Sequence, residues 1–396
     1  MTQKNRETLI VGAARTPIGK FQGTLSGISA PELGAVAIRE AVRRSGLPAN
    51  LIEEVIMGNV VGAGLGQAPA RQAALKAGLP DTITATQIGK VCGSGLKAAM
   101  LAHSMIRAGE ADALVAGGME NMNRAPYLLP NARFGYRMGT GEMLDAVVHD
   151  GLWCAFENWH MGRAAEFIAR ECGITRRMQD EFSLKSHQKA VAAMQGGKFK
   201  AEIAAISIPS KKGAIVFDTD ETPRADSTME ALEKLKPAFE EGGSVTAGNA
   251  PPLSDGAAAV VLVGDDVAAR HKLTPLGRVV ACAQAGTDAK HIFWAPIYAV
   301  RKAVEKAGWK MADVDLFELN EAFAAQALAD GKELGVDFVK VNVNGGAVAL
   351  GHPIGASGSR ILVTLLYALK DRGLKRGVAS LCLGGGEAVA MAVEAL

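Results

Sequence analysis

The apolar positions of the chain follow one arrangement in both of its halves. From Ala37, the segment AIREAVRRSGLPANLIEEVIMGN places apolar residues at helical spacing, then a glycine, then a short run suited to a strand. The segment from Ala299, AVRKAVEKAGWKMADVDLFELN, aligns with it without gaps, so that Gly46 matches Gly308. Each segment therefore predicts a helix that ends near its glycine and is followed by a strand.

A second pair of segments follows in the same order. VCGSGLKAAMLAHSMIRAGEADALVAGGMEN and GHPIGASGSRILVTLLYALKDRGLKRGVASLCLGGGEA both contain a glycine-rich turn, a long apolar helix, a charged turn, a buried strand and a glycine pair. Chance similarity between amphipathic helices would explain one such match, but two matches in the same order favour an internal duplication. The predicted fold class is α/β, with a five-layered α-β-α-β-α core made of two duplicated halves and a loop-rich insertion.

The regular pattern stops between the two halves. The intervening stretch contains aromatic residues, scattered prolines, lysine runs and polar turns such as NARFGYRMG and DTDETPR. We predict an N-terminal half over residues 1–120 that is completed by residues 250–272, and a C-terminal half over residues 273–396. Residues 121–249 are predicted to form a loop-rich domain that covers the functional site, because loops of this kind commonly supply substrate contacts.

Composition and charge narrow the classes of function. The chain has 396 residues, 48% of them apolar and 21% charged, and a net charge of +2. This balance favours neither a nucleic acid nor a membrane surface as the main partner. The N-terminus lacks the apolar core of a signal peptide, and no run of about 18 apolar residues occurs. Five scattered cysteines suit a reducing compartment, so we expect a cytoplasmic protein without a disulfide framework.

Cys92 lies in a glycine-rich turn, TQIGKVCGSGLKAAM. A short strand-like run ends at this cysteine, and an apolar helix is predicted from Leu96 onward. A thiol at a helix N-terminus is close to the positive end of the helix dipole, which favours the thiolate. Gly93 and Gly95 permit the sharp strand-to-helix turn on which nucleophiles are presented. The motif predicts a nucleophile, although a buried structural cysteine beside a tight turn is the alternative reading of this motif alone.

Three further residues lie on loops at predicted strand ends. His352, in NVNGGAVALGHPIGASGSR, occupies the second-half turn that corresponds to the turn of Cys92, and a thiol nucleophile needs a base of this kind. Cys382 ends a buried strand in VASLCLGGGEA, where a thiol with an ordinary pKa can move a proton near neutral pH. Asn320, in DLFELNEAF, can support an oxyanion or cap a helix. Each residue alone has a structural explanation, but together the four predict one site.

These motifs resemble the thiolase family, from near the N-terminus to the last strand. VCGSG-K, NEAFA, GG-A-LGHPIGASG and C-GGG appear in family order and at family-like spacing. The resemblance implies reversible Claisen condensation of two acyl-CoA molecules, most simply two acetyl-CoA to acetoacetyl-CoA and CoA, through an acyl group on Cys92. It implies that His352 activates Cys92 and that Asn320 positions a water in one oxyanion hole. It also implies that Cys382 moves the proton and that the N–H groups of Cys92 and Gly384 form a second oxyanion hole.

The resemblance further implies that the insertion binds coenzyme A, that the CoA thioester is the substrate, and that no metal or redox cofactor takes part. The positions that match family contacts to the acyl group and CoA are Leu152, His160, Met161, Arg224, Phe239, Ala247 and Phe323. By the same resemblance, the chain is expected to form a homotetramer or a homodimer.

The expected acyl length is the least determined part of the function. The pair His160–Met161 resembles the biosynthetic, short-chain branch of the family. Pro251, however, replaces a serine that contacts pantetheine, and proline has neither a hydroxyl nor an amide donor. Phe293 and Trp294 stand where the family has a small glycine-containing stretch, so their rings are expected to narrow or reshape the acyl pocket. A degradative 3-ketoacyl-CoA thiolase for longer chains is therefore the alternative.

Three functions of other classes are less consistent with the sequence. A decarboxylating ketoacyl synthase of the same fold lacks the cysteine that Cys382 supplies. A non-catalytic acyl-CoA or lipid-binding protein would not require all four reactive positions to be filled. A nicotinamide dehydrogenase is suggested by VGAGLGQAP, but Gln67 occupies the place of the third glycine of the dinucleotide-binding pattern.

Overall fold

A computed structural model of the chain describes residues 6–210 and 213–396. In this part of the chain the strands are β1 (Thr8–Arg15), β2 (Gly19–Lys20), β3 (Glu54–Gly58), β4 (Thr84–Ile88), β5 (Ala113–Asn121), β6 (Tyr127–Leu128), β7 (Leu144–Asp145), β8 (Trp153–Cys154), β9 (Trp159–His160), β10 (Ile206–Ser210), β11 (Gly213–Phe217), β12 (Ser254–Gly264), β13 (Gly277–Gly286), β14 (Leu316–Leu319), β15 (Arg376–Leu383) and β16 (Glu387–Ala395).

The helices of the same described ranges are α1 (Ala30–Ser45), α2 (Pro69–Lys76), α3 (Ser94–Ala108), α4 (Met161–Glu171), α5 (Arg176–Gln195), α6 (Met229–Glu233), α7 (Asp265–His271), α8 (Ala295–Lys306), α9 (Ala324–Leu334), α10 (Ala347–Leu350) and α11 (Ile354–Arg372). Short 3₁₀ turns cover Ala49–Leu51, Met122–Arg124, Ala289–Trp294 and Met311–Asp313, and Val147–Leu152 forms a π-helical turn. None of these helices is long and apolar enough to cross a membrane.

Ten of the described strands form one mixed sheet, in the order β14-β15-β16-β13-β1-β12-β5-β3-β4, with β2 beside β12. β3 runs parallel to β4 and β5, and β14 runs parallel to β15. The two halves of the sheet meet at β1 and β13, which pair only from Thr8↔Val279 to Ile10↔Gly277. Because parallel strands present their carboxyl ends at one edge, the loops after β3, β5, β14 and β15 are candidates for a shared site.

The predicted duplication is present in the structure. α1 ends before Gly46, which has a φ of 69°, and the chain after α8 turns at Gly308, which has a φ of 70°. A 3₁₀ turn and then a parallel strand follow each of these glycines. Only glycine adopts this left-handed conformation without a steric cost from Cβ, so both helices end where the sequence predicted.

Three apolar clusters separate the layers of the core. α1 and α2 pack on the outer face of β1, β3, β5 and β12, and α8 packs on the outer face of β13 to β16. α3 and α11 lie between the inner faces of the two half-sheets and share one apolar cluster with both of them. The predicted five-layered α-β-α-β-α architecture is therefore confirmed.

The two central helices approach each other closely at their N-terminal ends. A Cβ on Gly95 of α3 would lie 2.7 Å from the backbone nitrogen of Ser359 in α11, so a larger residue would separate the helices. Gly358 of α11 packs in the same way against the backbone of Leu96. The absence of two side chains brings the turns that precede α3 and α11 together.

Between β5 and β12 the described chain contains α4, α5, α6 and six short strands that pair two by two, and a buried cation attaches this segment to the core. Arg15, at the end of β1, is completely buried and donates to Asp220 at 2.7 and 2.8 Å and to Glu202 at 2.5 Å. Its guanidinium also lies 4.9 Å from the ring centre of Phe199. Removing one member of such a group would leave an unpaired buried charge, which is strongly unfavourable. The ion pairs of Arg15 therefore fix the insertion relative to the sheet.

Candidate active site

A cavity of about 440 Å³ opens where strand ends of both halves meet the insertion. Its lining is mostly apolar, and it brings together most of the residues predicted from the sequence. These residues are Cys92, Leu152, His160, Met161, Phe239, Ala247, Phe323, His352, Cys382 and Gly384. An apolar cavity with a few converging polar groups is the usual form of a site for a small substrate.

Two predicted residues do not line this cavity. Asn320 is buried directly behind it, with its Nδ2 atom 3.4 Å from Nε2 of His352. Arg224 lies outside, where its side chain is 66% exposed and pairs with Asp226 at 3.2 Å. Asn320 can therefore act on the cavity through His352 or through a small bound group, whereas Arg224 can contact only the part of a ligand that extends beyond the cavity.

Cys92 lies on a strained turn. β4 ends at Ile88, four residues before the cysteine, and α3 begins at Ser94, two residues earlier than predicted. Val91, which precedes Cys92, has a φ of 44°, a conformation that is strongly unfavourable for a β-branched residue. Lys90 N donates to Ser94 Oγ at 2.8 Å, and Ser94 Oγ donates to Val91 O at 2.7 Å. These bonds stabilise the turn that places the sulfur at the N-terminus of α3.

The resting thiol of Cys92 is neutral. Burial, with a smaller contribution from the negative charge of Glu120, raises the pKa of Cys92 to about 12. The backbone N–H groups of Cys92 and Gly384 oppose this shift. The helix N-terminus was expected to favour the thiolate, but the loss of solvation on burial outweighs the dipole and the hydrogen bonds. A base would have to take up this proton before the sulfur could act as a nucleophile.

His352 is held as a neutral base. Its Nδ1 atom lies 2.6 Å from Ser357 Oγ, and that hydroxyl donates to Pro353 O at 2.9 Å. Because the hydroxyl hydrogen is used there, Nδ1 carries the ring proton and Nε2 carries a lone pair, which faces Asn320 Nδ2. Burial lowers the pKa of His352 to about 3, and the charge of Arg360 contributes. The backbone N–H of His352 also donates to Ser254 Oγ at 3.2 Å.

Cys382 ends β15 and is buried in the apolar layer that includes Ala322 and Phe323. Burial raises its pKa well above the usual range, and the neighbouring sulfur of Cys92 raises it further. An ordinary thiol pKa was expected, so this expectation is wrong for the free protein. Two neutral thiols close to one neutral imidazole can exchange protons without leaving a stable buried charge.

Asn320 has one side-chain atom that is not satisfied within the described chain. It follows β14, and its backbone nitrogen donates to Ser380 O at 3.0 Å. Nδ2 faces His352, whereas Oδ1 is buried and accepts no hydrogen bond from residues 6–210 or 213–396. Buried polar atoms are normally satisfied, so Oδ1 is suited to a small donor such as water.

Aromatic rings form one wall of the cavity. His160 stacks on Phe239 with ring centres 4.8 Å apart, and Phe239 meets Phe323 edge-on at 6.1 Å. Phe323 in turn meets Phe293 at 5.8 Å. Edge-to-face contacts of this kind fix ring orientation. The wall therefore runs continuously from the insertion to the residues around Cys382.

The residues that depart from the family pattern do not all face the cavity. Pro251 and Phe293 line the cavity, and so does Ile292. Trp294 does not line it, and its Nε1 lies 3.4 Å from Glu171 Oε2. The expectation that both rings shape the acyl pocket is thus wrong for Trp294, because the helical turn directs adjacent side chains to different sides.

Several site residues were not identified from the sequence. Ser254 and Ser357 orient His352, and Glu120 connects the segment after β3 to the first turn of α11. Glu120 lies in a glycine cluster, VAGGMEN, that was visible in the sequence, but its partners are distant along the chain. Among the described residues no group of three or more His, Cys, Asp or Glu is placed to hold a metal ion.

Comparison with known proteins gives a consistent result. Residues 8–266 match the family described as thiolase, N-terminal domain, and residues 273–395 match thiolase, C-terminal domain. An acetyl-CoA acetyltransferase of Pseudomonas aeruginosa is 54% identical over 387 residues, which cover 98% of each chain. One from Escherichia coli is 53% identical over 392 residues, 99% of this chain and 100% of its own. A crystal structure of the Bacillus anthracis acetyl-CoA acetyltransferase superposes with a TM-score of 0.97 at 45% identity, covering 99% of this chain and 100% of that one.

Proposed function

The chain belongs to the thiolase family, and from this premise we propose that it condenses two acetyl-CoA molecules reversibly to acetoacetyl-CoA and CoA. The relatives named acetyl-CoA acetyltransferase support this reaction. The observation that carries the proposal is the convergence of Cys92, His352 and Cys382 on one apolar cavity. A nucleophile, a base and a second thiol are the groups that a two-step acyl transfer needs.

In the first step, Cys92 takes the acetyl group. His352 Nε2 removes the thiol proton, and the sulfur attacks the thioester carbon as the bond from that carbon to the CoA sulfur breaks. The N–H groups of Cys92 and Gly384 stabilise the oxyanion, which their position beside the cavity sulfur supports. The departing CoA sulfur takes a proton from Cys382, so CoA leaves as a thiol and Cys382 becomes a thiolate.

In the second step, a new carbon–carbon bond forms. The Cys382 thiolate removes a proton from the methyl carbon of a second acetyl-CoA, and the enolate oxygen is stabilised by protonated His352 and a water bound by Asn320. The enolate attacks the acetyl carbon on Cys92, the bond to that sulfur breaks, and His352 returns the proton to Cys92. All three side chains regain their starting protonation state, which is the neutral one that burial favours.

We assign the acyl and pantetheine contacts to the apolar walls of the cavity. Leu152, His160, Met161, Phe239, Ala247 and Phe323 form these contacts. Arg224 contacts the nucleotide end, since its guanidinium is exposed and its pair with Asp226 is screened by solvent. The acyl-CoA thioester is the substrate, and the reaction uses no metal or redox cofactor.

We further propose that the acyl preference is for acetyl. The side chains of Ile292 and Phe293 occupy the wall beside Cys382, and both are almost completely buried. Large apolar groups at the reacting end leave little room beyond two carbons. The domain division at residues 1–120 with 250–272, 121–249 and 273–396, a homotetrameric or homodimeric assembly and a cytoplasmic location remain parts of this proposal.

Replacement of Cys92 tests the proposed function. In the variant Cys92→Ser, the rate of CoA-dependent cleavage of acetoacetyl-CoA is expected to fall by about 10³-fold or more. A serine hydroxyl is much harder for a neutral imidazole to deprotonate than a thiol, and it attacks the thioester less readily. Cys172→Ser is the matched control, since Cys172 is partly exposed at the end of α4 and lies outside the cavity. Unchanged cleavage by Cys92→Ser would exclude this mechanism.

A further inference from the structure

Glu120 is a buried acid for which the reaction steps above have no use. It lies near the end of β5 with 0% of its surface exposed. Its carboxylate accepts four hydrogen bonds. The donors are the side-chain amide of Asn59 at 2.8 Å and the backbone N–H groups of Val60 at 3.0 Å, Val61 at 3.2 Å and Gly355 at 2.9 Å.

These donors belong to different halves of the molecule. Asn59 and the two residues after it follow β3 in the N-terminal half. Gly355 lies in the first turn of α11, three residues after His352. A Cβ on Gly355 would lie 2.6 Å from Glu120 Oε2 and 2.9 Å from the backbone of Asn59, so the contact requires glycine. Glu120 therefore joins the N-terminal strand ends to the segment that carries the base.

We propose that Glu120 is a positioning residue that fixes His352 relative to Cys92 by binding the first turn of α11. The inference rests on the thiolase function proposed above. A carboxylate forms stronger hydrogen bonds than a neutral acceptor and is favoured at a helix N-terminus. Ser357, which sets the tautomer of His352, lies in the same turn, so movement of that turn would displace both residues.

The charge of Glu120 matters because its four hydrogen-bonding partners are all donors. A proton on either oxygen would face an N–H group and break a hydrogen bond. Burial raises the pKa of Glu120 to about 7, three backbone N–H groups oppose this shift, and Asp255 on the neighbouring strand adds to it. The other titratable neighbour is the thiol of Cys92, which stays neutral across this range. The wild-type rate is therefore expected to fall as the pH decreases through about 7.

The variant Glu120→Gln tests this role. The glutamine amide keeps one acceptor oxygen and turns an NH₂ group toward the remaining donors. At pH 8, kcat for acetoacetyl-CoA thiolysis is expected to fall about 100-fold, since a displacement of about 1 Å in a catalytic group has an effect of this size. KM for CoA is expected to change by less than about threefold, because the pantetheine walls are untouched. The decline in rate below pH 7 is expected to disappear.

Asp255→Asn is the matched control. Asp255 is a second completely buried acid on the adjacent strand, but its carboxylate binds the side chain and backbone of Asn123 and does not reach α11. This variant is expected to retain kcat at pH 8 and to keep a decline at lower pH, with the midpoint somewhat below 7 because the charge of Asp255 no longer raises the pKa of Glu120. If it loses them as Glu120→Gln does, the effect belongs to any buried acid in this region and the proposal is overturned.

A second variant covers the case in which Glu120→Gln does not fold. Gly355→Ala keeps the carboxylate but separates it from α11, so kcat is expected to fall in the same way. Where both single variants fold, the double variant should lose less than the product of the two effects, because both break one contact. Independent effects, or full kcat in either folded variant, would overturn the proposal. An inactive wild type would instead refute the thiolase function itself.

Discussion

The two halves of the molecule share one fold but place different side chains at matching positions. Met57 pairs with Gly117 in the N-terminal half, and Leu319 pairs with Ser380 in the C-terminal half. Two residues further along the inner strand, β5 has Met119 where β15 has Cys382. Duplication thus supplied two equivalent strand ends, of which only one carries a reactive thiol.

The neighbouring strands, β3 beside β5 and β14 beside β15, differ between the two halves in the same way. In the alignment of the two repeats, Gly58 of β3 corresponds to Asn320, which follows β14. A Cβ on Gly58 would lie 2.5 Å from Ser94 Cβ, so the N-terminal position must be small to accommodate the start of α3. In the N-terminal half the strand ends support the Cys92 turn, and in the C-terminal half they carry the groups that we propose act on the substrate.

Alanine substitution of each of the two matched residues, Cys382 and Met119, tests this division most strongly. Cys382→Ala is expected to lower condensation and thiolysis by about 10³-fold or more with an unchanged melting temperature, because it removes a proton-transfer group. Met119→Ala is expected to retain most of kcat but to reduce the free energy of unfolding by about 2–5 kcal/mol through a cavity in the outer cluster. Steady-state kinetics and denaturant unfolding of both variants measure the contrast. Similar losses of activity in the two would contradict it.

Removal of the Asn320 side chain is expected to have the next largest effect. Asn320→Ala would lose the group that binds the oxyanion water, and loss of one such donor lowers kcat by about 10²–10³-fold. Acetyl transfer from acetyl-CoA to Cys92 should be less affected than condensation, because the first step uses the backbone N–H groups. Rapid-quench measurement of both steps separates them. Equal losses in the two steps would place Asn320 in a general structural role.

Ser357 provides a smaller test of the C-terminal half. In Ser357→Ala, Nδ1 of His352 loses its acceptor at 2.6 Å, so the ring is no longer held in one tautomer and orientation. We expect a decrease of about 10-fold in kcat, the cost of one buried hydrogen bond. Ser359→Ala is a suitable control, since Ser359 Oγ donates within α11, to Ala356 O at 2.8 Å. A decrease in the control of the same size would show that any change in this helix slows the enzyme.

The smallest expected effect is on the preference for acyl-chain length when the cavity wall is changed. Phe293→Ala should raise kcat/KM for 3-oxohexanoyl-CoA relative to acetoacetyl-CoA by about 10-fold, the usual scale for space of one or two methylene groups. Trp294→Ala should leave this ratio unchanged because Trp294 lies outside the cavity. A thiolysis panel over acyl lengths measures both ratios. A shift in the Trp294 variant alone would refute the assigned wall.

Sequence patterns predicted those parts of the fold that depend on local order. Gly46 and Gly308 marked the ends of two helices because a left-handed residue at a helix end is a local requirement. The turns of Cys92 and His352 could be related through the repeat, and Cys382 and Asn320 could be assigned to strand ends from the apolar runs that precede them. The strand before Cys92 was predicted to end at the cysteine, whereas β4 ends four residues earlier. The strained turn at Val91, which separates the two, has no distinct sequence signal.

The remaining features depend on contacts between distant segments. The neutral state of Cys92 follows from its burial, which the dipole argument did not include. Glu120 was missed because its partners lie about 60 and 235 positions away. Neighbouring Phe293 and Trp294 have similar rings, and only the packing of the turn shows that one lines the cavity.

The most direct test of the account is the location of the acetyl group. After mixing with acetyl-CoA, rapid quenching and peptide mass spectrometry should find one acetyl group on Cys92 and none on Cys382, and excess CoA should remove it. The Cys382→Ala variant should still show acetylated Cys92. An acetyl group on Cys382, or none on Cys92 in an enzyme that cleaves acetoacetyl-CoA, would contradict the proposal that Cys92 is the nucleophile and Cys382 transfers protons.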